Sequence, residues 1–254
     1  MRIELFNTMV DLVDKNEATR LICNWIESED GNFRFVVTPN VDHILQLQDN
    51  ADFRAAYADA SLVLIDGWPV ASVAKWVARR KVEVVPGSDL VPLTFDALSR
   101  RKPGARIYLF GALPGVADLA AENISRKWPG LSVCGAYSPE FGFDSDARRS
   151  DEICGIIREA RPDLIVVGLG APKQELWIHR HRDRLGPAVA ICAGATIDFL
   201  AGSKARAPVW VRKVKMEWAY RMFQEPRRLV RRYARGMLLF PIYVGRELIK
   251  HSGV

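Results

Sequence analysis

Six short apolar runs set the limits on how this chain can fold. They are Arg34-Phe-Val-Val-Thr-Pro-Asn40, Leu62-Val-Leu-Ile-Asp-Gly67, Arg106-Ile-Tyr-Leu-Phe-Gly111, Leu131-Ser-Val-Cys-Gly135, Leu164-Ile-Val-Val-Gly168 and Ala188-Val-Ala-Ile-Cys-Ala-Gly194. Each is too short for a helix, and an unbroken apolar run of that length reads as a strand buried on both faces. Between them lie amphipathic segments such as 116–128 and 151–161. Strands alternating with helices predict an α/β fold: a Rossmann-like, mostly parallel sheet with helices on both faces. Arg2–Phe6 is expected to add an edge strand. There is no internal repeat and no low-complexity linker.

The charge is unevenly divided. Residues 204–254 hold 13 Lys and Arg against 3 Asp and Glu, so the overall net charge of +6 belongs to the tail. We therefore divide the chain into an α/β domain at 1–203 and a basic helical appendage at 204–254. A helix is expected from Pro208 to Phe223, with Val211, Val214, Trp218 and Met222 on one face and Arg212 and Lys215 off it. Glu225-Pro226 ends it. The arginine-rich segment 227–235 follows, and then the apolar run Met237–Val244, too short to span a bilayer and broken by Pro241. Arginines beside a short apolar, aromatic run suit an element lying on an anionic membrane surface. The first residues form no apolar signal region, so the expected location is cytoplasmic, peripheral on the inner face of the membrane. Cys23, Cys134, Cys154 and Cys192 contain no CxxC pair, and Cys134 and Cys192 read as small buried hydrophobes. His179 and His181 are two apart on a helix and point away from each other, so no metal is expected there.

In an open parallel sheet, ligands bind in the crevice at the carboxyl ends of the strands. The chemistry-bearing residues of this sequence collect at those ends. The first strand leads to Thr38 and Asn40, the second to Asp66 and Gly67, and the third to Gly111. Later strands lead to Gly168, Gly170, Lys173 and Gln174, and then to Gly194, Thr196 and Asp198. Glycines just past a strand allow a tight turn or close ligand approach, and Pro172 stands where a helix would open. Lys173 and Gln174 would face the crevice beside free N–H groups that favour an anion, which predicts a phosphate-bearing small molecule. Asp66, with an apolar strand behind it, reads as a general base of raised pKa, or else as a plain turn with Gly67. Thr38 and Asn40 either hold a substrate hydroxyl or amide, or cap the next helix. His43 is a phosphate partner or acid in one reading and a packed, hydrogen-bonded side chain in the other. Asp198 complements the dipole of a helix's first turn or contacts the ligand.

Taken together, Thr38-Pro-Asn40, Asp66-Gly67, Gly168-Leu-Gly-Ala-Pro-Lys-Gln-Glu-Leu-Trp177, Asp198-Phe-Leu-Ala-Gly202, Arg206-Ala-Pro208, Glu217-Trp-Ala-Tyr-Arg221 and Gln224-Glu-Pro-Arg-Arg-Leu229 resemble the WecG/TagA/CpsF glycosyltransferase family. The resemblance runs from about Thr38 to Tyr233. It implies a bacterial enzyme that moves a hexosyl residue from a UDP-sugar to an undecaprenyl-diphosphate-linked acceptor, with inversion, in the making of surface polysaccharides. It further implies Asp66 as the catalytic base, Thr38 and Asn40 in the active site, and Gln174 near the nucleotide sugar. The tail would dock on the membrane and bring Arg206, Arg221 and Arg227 over the site. No metal cofactor is implied, and the sequence has no Asp-x-Asp motif. Homo-oligomers are a further expectation.

Two departures lie near the crevice: Thr196-Ile197, where many relatives carry a bulkier residue before the aspartate, and Asp42, where several have glutamate. Both bear on sugar identity, leaving glucose, N-acetylmannosamine and its uronic acid open. Two rival functions follow from the residues alone. Another nucleotide-binding α/β enzyme would need the GxGxxG fingerprint, which is missing here. A non-catalytic adaptor would use the basic tail on a membrane or on nucleic acid; the apolar 237–244 run fits a bilayer better, so nucleic acid is not an expected partner.

Overall fold

The structure is a computed structural model that describes residues 1–28, 30–208, 210, 211, 214 and 216–252. It opens with a hairpin of β1 (Arg2–Leu5) and β2 (Thr8–Asp11), followed by α1 (Lys15–Ser28). Then come β3 (Phe33–Val37), α2 (Val41–Asp49), α3 (Ala51–Ala58), the short β4 (Leu62–Val63), α4 (Trp68–Ala78) and α5 (Gly87–Arg101). The second half runs β5 (Ala105–Gly111), α6 (Val116–Lys127), β6 (Leu131–Tyr137), α7 (Ala147–Glu159), β7 (Leu164–Gly168), α8 (Lys173–His181), β8 (Ala188–Cys192) and α9 (Thr196–Ala201). The tail holds α10 (Glu217–Gln224) and α11 (Pro226–His251).

All six apolar runs are strands of one sheet, ordered β4-β3-β8-β7-β5-β6, with every pairing parallel. Side chains alternate between its faces, as period-two geometry requires. Phe35, Val37, Tyr108, Phe110, Ile165, Val167, Ala190 and Cys192 point into one core with α2, α3, α4, α7 and α8. Val36, Ile107, Leu109, Leu164, Val166, Val189 and Ile191 point into the other with α1, α5, α6 and α9. Because both faces are covered, almost no polar side chain is tolerated along the strands, and chemistry is left to their carboxyl ends. There α2 leaves β3 toward one face while α9 leaves the neighbouring β8 toward the other, which opens a crevice between the two connections.

Three expectations need correction. Arg2–Phe6 does not join the main sheet; it pairs antiparallel with β2, through a turn in which Phe6 and Asn7 both have positive φ. The hairpin meets the sheet edge where Asp11 Oδ2 accepts from the Val63 N–H at 2.9 Å. Cys134 is only half-buried, because β6 is the outermost strand and its flank is open, whereas Cys192 is fully buried. Pro241 does not break the tail: α11 runs unbroken through it for 26 residues. An internal proline costs a helix about 3 kcal/mol. Packing offsets that here, since Phe240, Tyr243 and Val244 seat on the core and the Phe240 ring lies 5.5 Å from that of Phe6. The opposite face of the same stretch leaves Met237, Leu238 and Ile242 exposed.

The helix expected from Pro208 falls partly on Val209, Arg212, Lys213 and Lys215, which lie outside the described residues. Among the described ones, Val211 is buried and Val214 exposed, so the two do not share a face. The Met216 N–H closes back on the Val211 carbonyl, a helix-ending pattern, and α10 restarts at Glu217. It stops before Pro226, which opens α11 in its first turn. Among the described residues no helix is long and apolar enough to cross a membrane.

Candidate active site

Asp66 stands three residues past β4, and its N–H donates to the Pro39 carbonyl at 2.9 Å, so the segments that follow β3 and β4 are stitched together. Thr38 is 5 % exposed. Asn40 caps α2: its Oδ1 accepts from the N–H groups of Asp42 and His43. Gly67 stands at the start of α4. Asp66 keeps some accessible surface, yet protein atoms crowd it on all sides. Burial pushes its carboxyl from an ordinary 3.8 up to about 6; Arg221 opposes the rise, Glu217 adds to it, and Arg232 and a hydrogen bond from Asn40 oppose it further. A carboxylate of that pKa is ionised at neutral pH but still a useful base.

Three of those four side chains belong to the tail. Glu217 and Arg221 are one helical turn apart on α10, and Arg232 lies on α11. Arg232 reaches the crevice by donating from Nη2 to Asn40 Oδ1 at 3.3 Å and pairing with Asp42 Oδ2 at 3.2 Å. The tail is therefore part of the electrostatics around Asp66. Arg232 is not visible in the sequence because nothing distinguishes it within the run Arg227–Arg235; only the fold selects it. Arg227 is exposed in the first turn of α11.

Gly111 and Gly168, at the ends of β5 and β7, bring backbones together. Gly111 has φ +120°, and a Cβ built there would lie 2.5 Å from the backbone of Gly168. A Cβ on Gly168 would in turn meet Ile197 and the Gly194 carbonyl oxygen. The loops after β5, β7 and β8 thus approach more closely than any side chain permits. Gln174 ties two of them: its Oε1 accepts from the N–H of Gly170 at 3.3 Å and of Gly194 at 3.2 Å. Gln174 is 3 % exposed, so it is a strut inside the loops and its neighbour Lys173 is the outward residue of that turn. Lys173 is itself engaged, with Asp144 at 2.8 Å and over the rings of Phe141 and Phe143. This pairing lies on the β6 side of the crevice, whereas Asp66 lies on the β4 side; three strand spacings from β4 to β7 amount to about 14 Å.

A polar core sits behind the crevice. His43 Nδ1 is 2.6 Å from the Tyr57 hydroxyl, and burial holds the imidazole down at about 3, with Arg232 adding to that. It is a packed, hydrogen-bonded, neutral histidine. Asp198 lies in the first turn of α9, 3.3 Å from Lys204, and Lys204 also pairs with Glu225 at 2.8 Å, joining that helix to the tail. Arg206 meets the first turn of α5: it pairs with Asp89 at 2.5 Å and donates to the Ser88 carbonyl. Burial alone would raise the Asp89 carboxyl, but Arg206 and Lys15 more than offset it and hold it low. That start of α5 is at the crevice, since Gly87 touches the Ala193 backbone just past β8. Among the described residues no cluster of His, Cys, Asp and Glu could hold a metal ion. His179 pairs with Asp59, and His181 packs on Trp177.

The sequence profile of the glycosyl transferase WecG/TagA/CpsF family matches residues 3–253. Among curated proteins, an N-acetylglucosaminyldiphosphoundecaprenol N-acetyl-beta-D-mannosaminyltransferase of Bacillus spizizenii is 31% identical over 218 residues, covering 86% of this chain and 79% of its own. The protein of the same name from Bacillus subtilis is 29% identical, covering 76% of this chain and 70% of its own. One from Staphylococcus aureus is 24% identical over 96% of this chain and 91% of its own.

Proposed function

This chain belongs to the WecG/TagA/CpsF family of glycosyltransferases, and we propose from that premise that it moves a hexosyl residue, N-acetylmannosamine in the first instance, from a UDP-sugar to an undecaprenyl-diphosphate-linked N-acetylglucosamine, with inversion. The names of the relatives support the transferred sugar and the acceptor. The single observation that carries the chemistry is Asp66, a crowded carboxylate pushed up to about 6 at the mouth of the crevice.

In this reading Asp66 takes the proton of an acceptor hydroxyl as that oxygen bonds to the anomeric carbon. The anomeric carbon–oxygen bond to the diphosphate breaks on the opposite face, and UDP leaves with the electron pair. The growing negative charge on UDP needs fixed positive groups, and in this reading the tail arginines supply them: Arg221 and Arg232, which are near Asp66, with Arg206 and Arg227 of the same tail. Thr38, Asn40 and Gly67 border the acceptor side, and Gly111, Gly168, Gly170 and Asp198 the donor side. No metal cofactor is part of the scheme. Residues 1–203 would form the catalytic domain. Residues 204–254 would lie on the anionic inner face of the cell membrane, where Met237, Leu238 and Ile242 offer an apolar face.

The test is UDP release by the full-length protein with UDP-N-acetylmannosamine and a lipid-linked acceptor in vesicles containing anionic lipid, with EDTA present and Asp66→Asn alongside. Acceptor-dependent release that survives EDTA and falls at least about 100-fold in the variant is expected. Equal release by Asp66→Asn would overturn the role of Asp66, and release with glucose or the uronic acid alone would overturn the sugar.

A further inference from the structure

Gln174 and Glu175 are consecutive, buried and joined: Glu175 Oε1 accepts from Gln174 Nε2 at 2.8 Å. The other end of that carboxamide, Oε1, accepts from Gly170 and Gly194, one residue in each of the loops that follow the adjacent strands β7 and β8. A carboxamide is asymmetric, since one end only donates and the other only accepts. An ionised carboxylate accepts and cannot donate, so above about pH 7, where Glu175 is ionised, it decides which end of Gln174 faces it. The oxygen is then left for the two glycine N–H groups, which need an acceptor.

We propose that Glu175 is a positioning residue: by fixing the orientation of the Gln174 amide it holds the loops after β7 and β8 at the spacing that shapes the donor side of the crevice. Its consequence for catalysis rests on the glycosyl-transfer reading above; the geometric part does not. Glu175 is 0 % exposed, so it acts through Gln174 and does not meet substrate. Its second oxygen, Oε2, is buried without a hydrogen-bond partner among the described residues, and His43 Nδ1 is 4.0 Å from its first. A buried carboxylate satisfied at one oxygen only gives the fold little stability. What it does give is a fixed polarity for its neighbour.

Reversing that polarity tests the idea. Glu175→Gln can offer Gln174 either an acceptor or a donor, so it loosens the orientation. Gln174→Glu sets two carboxylates against each other, so one must swing away or take up a proton. The swap, Gln174→Glu with Glu175→Gln, restores every bond with the inner donor and acceptor exchanged: the carboxylate now at position 174 accepts from both glycines and from the amide now at position 175. Hydrogen exchange at the Gly170 and Gly194 amides, measured at pH 8 without substrate, should speed up about tenfold or more in Gln174→Glu, return close to wild type in the swap, and lie between the two in Glu175→Gln. The donor KM should rise and recover in the same order while kcat moves less. Fast exchange persisting in the swap, or exchange unchanged from wild type in Glu175→Gln, would overturn the proposal. Exchange restored in the swap while transfer stays lost would mean that Gln174 touches substrate itself, which overturns the catalytic part. Because the exchange is read without substrate, an inactive wild type would sink the proposed function and leave this result legible.

Discussion

Replacing Glu175 by glutamine should stabilise the protein, and by an amount that depends on pH in a way the structure dictates. Burial pushes the Glu175 carboxyl from an ordinary 4.5 to about 7, against the opposing influence of Gln174 and Arg232. The native state therefore holds a proton more tightly than the unfolded chain, so stability falls as pH rises through the window from about 4.5 to about 7. At about 1.36 kcal/mol per pH unit, that window is worth about 3 kcal/mol. A glutamine can keep the acceptor for Gln174 and never ionises. Below the window that advantage should vanish, and reverse by about 1 kcal/mol, since the amide leaves two buried N–H groups without a partner at the Oε2 position where the protonated acid leaves one O–H. Above it, Glu175→Gln should be the more stable by about 2 kcal/mol, roughly 4–8 °C in thermal midpoint. Thermal melts at pH 4.5, 6 and 8, read by tryptophan fluorescence, give the comparison. Parallel stability curves at all three values, or a less stable variant at pH 8, would refute the assignment of Glu175 as a buried, uncompensated carboxylate.

The remaining expectations concern the crevice. If Asp66 works as the ionised base, the transfer rate should rise with pH through about 6 and then level off, and a profile flat between pH 5 and 7 would count against it. Arg232 lowers the Asp66 carboxyl, so Arg232→Gln should move that rising limb to higher pH by up to about one unit; a limb that stays put would remove Arg232 from the site. Gly111→Ala forces a Cβ to within 2.5 Å of the Gly168 backbone at φ +120°, and should cost at least about 2 kcal/mol in a urea melt, an unchanged midpoint showing that the two loops are not in close register.

What the sequence disclosed and what it withheld follow one physical line. Strands buried on both faces carry few polar residues, so their limits were visible in composition alone, and the residues that follow them marked the crevice. Asp66, Asn40 and the glycines could be placed for that reason. Arg232 could not: five arginines lie between 227 and 235, and on a helix only the fold determines which one turns toward Asn40 and Asp42. The inward course of Gln174 was hidden for a related reason. At a helix start the sequence cannot say whether an amide looks out at an anion or back at the loop behind it, and here the buried Glu175 beside it settles the direction. Pro241 shows the limit from the other side. Local propensity argued for a break, but the rings of Phe240 and Tyr243 seated on the core hold the helix through it. The same helix carries Arg232 into the crevice and presents Met237, Leu238 and Ile242 outward. Any surface that binds those three residues is therefore linked, through one continuous helix, to the charge environment of Asp66.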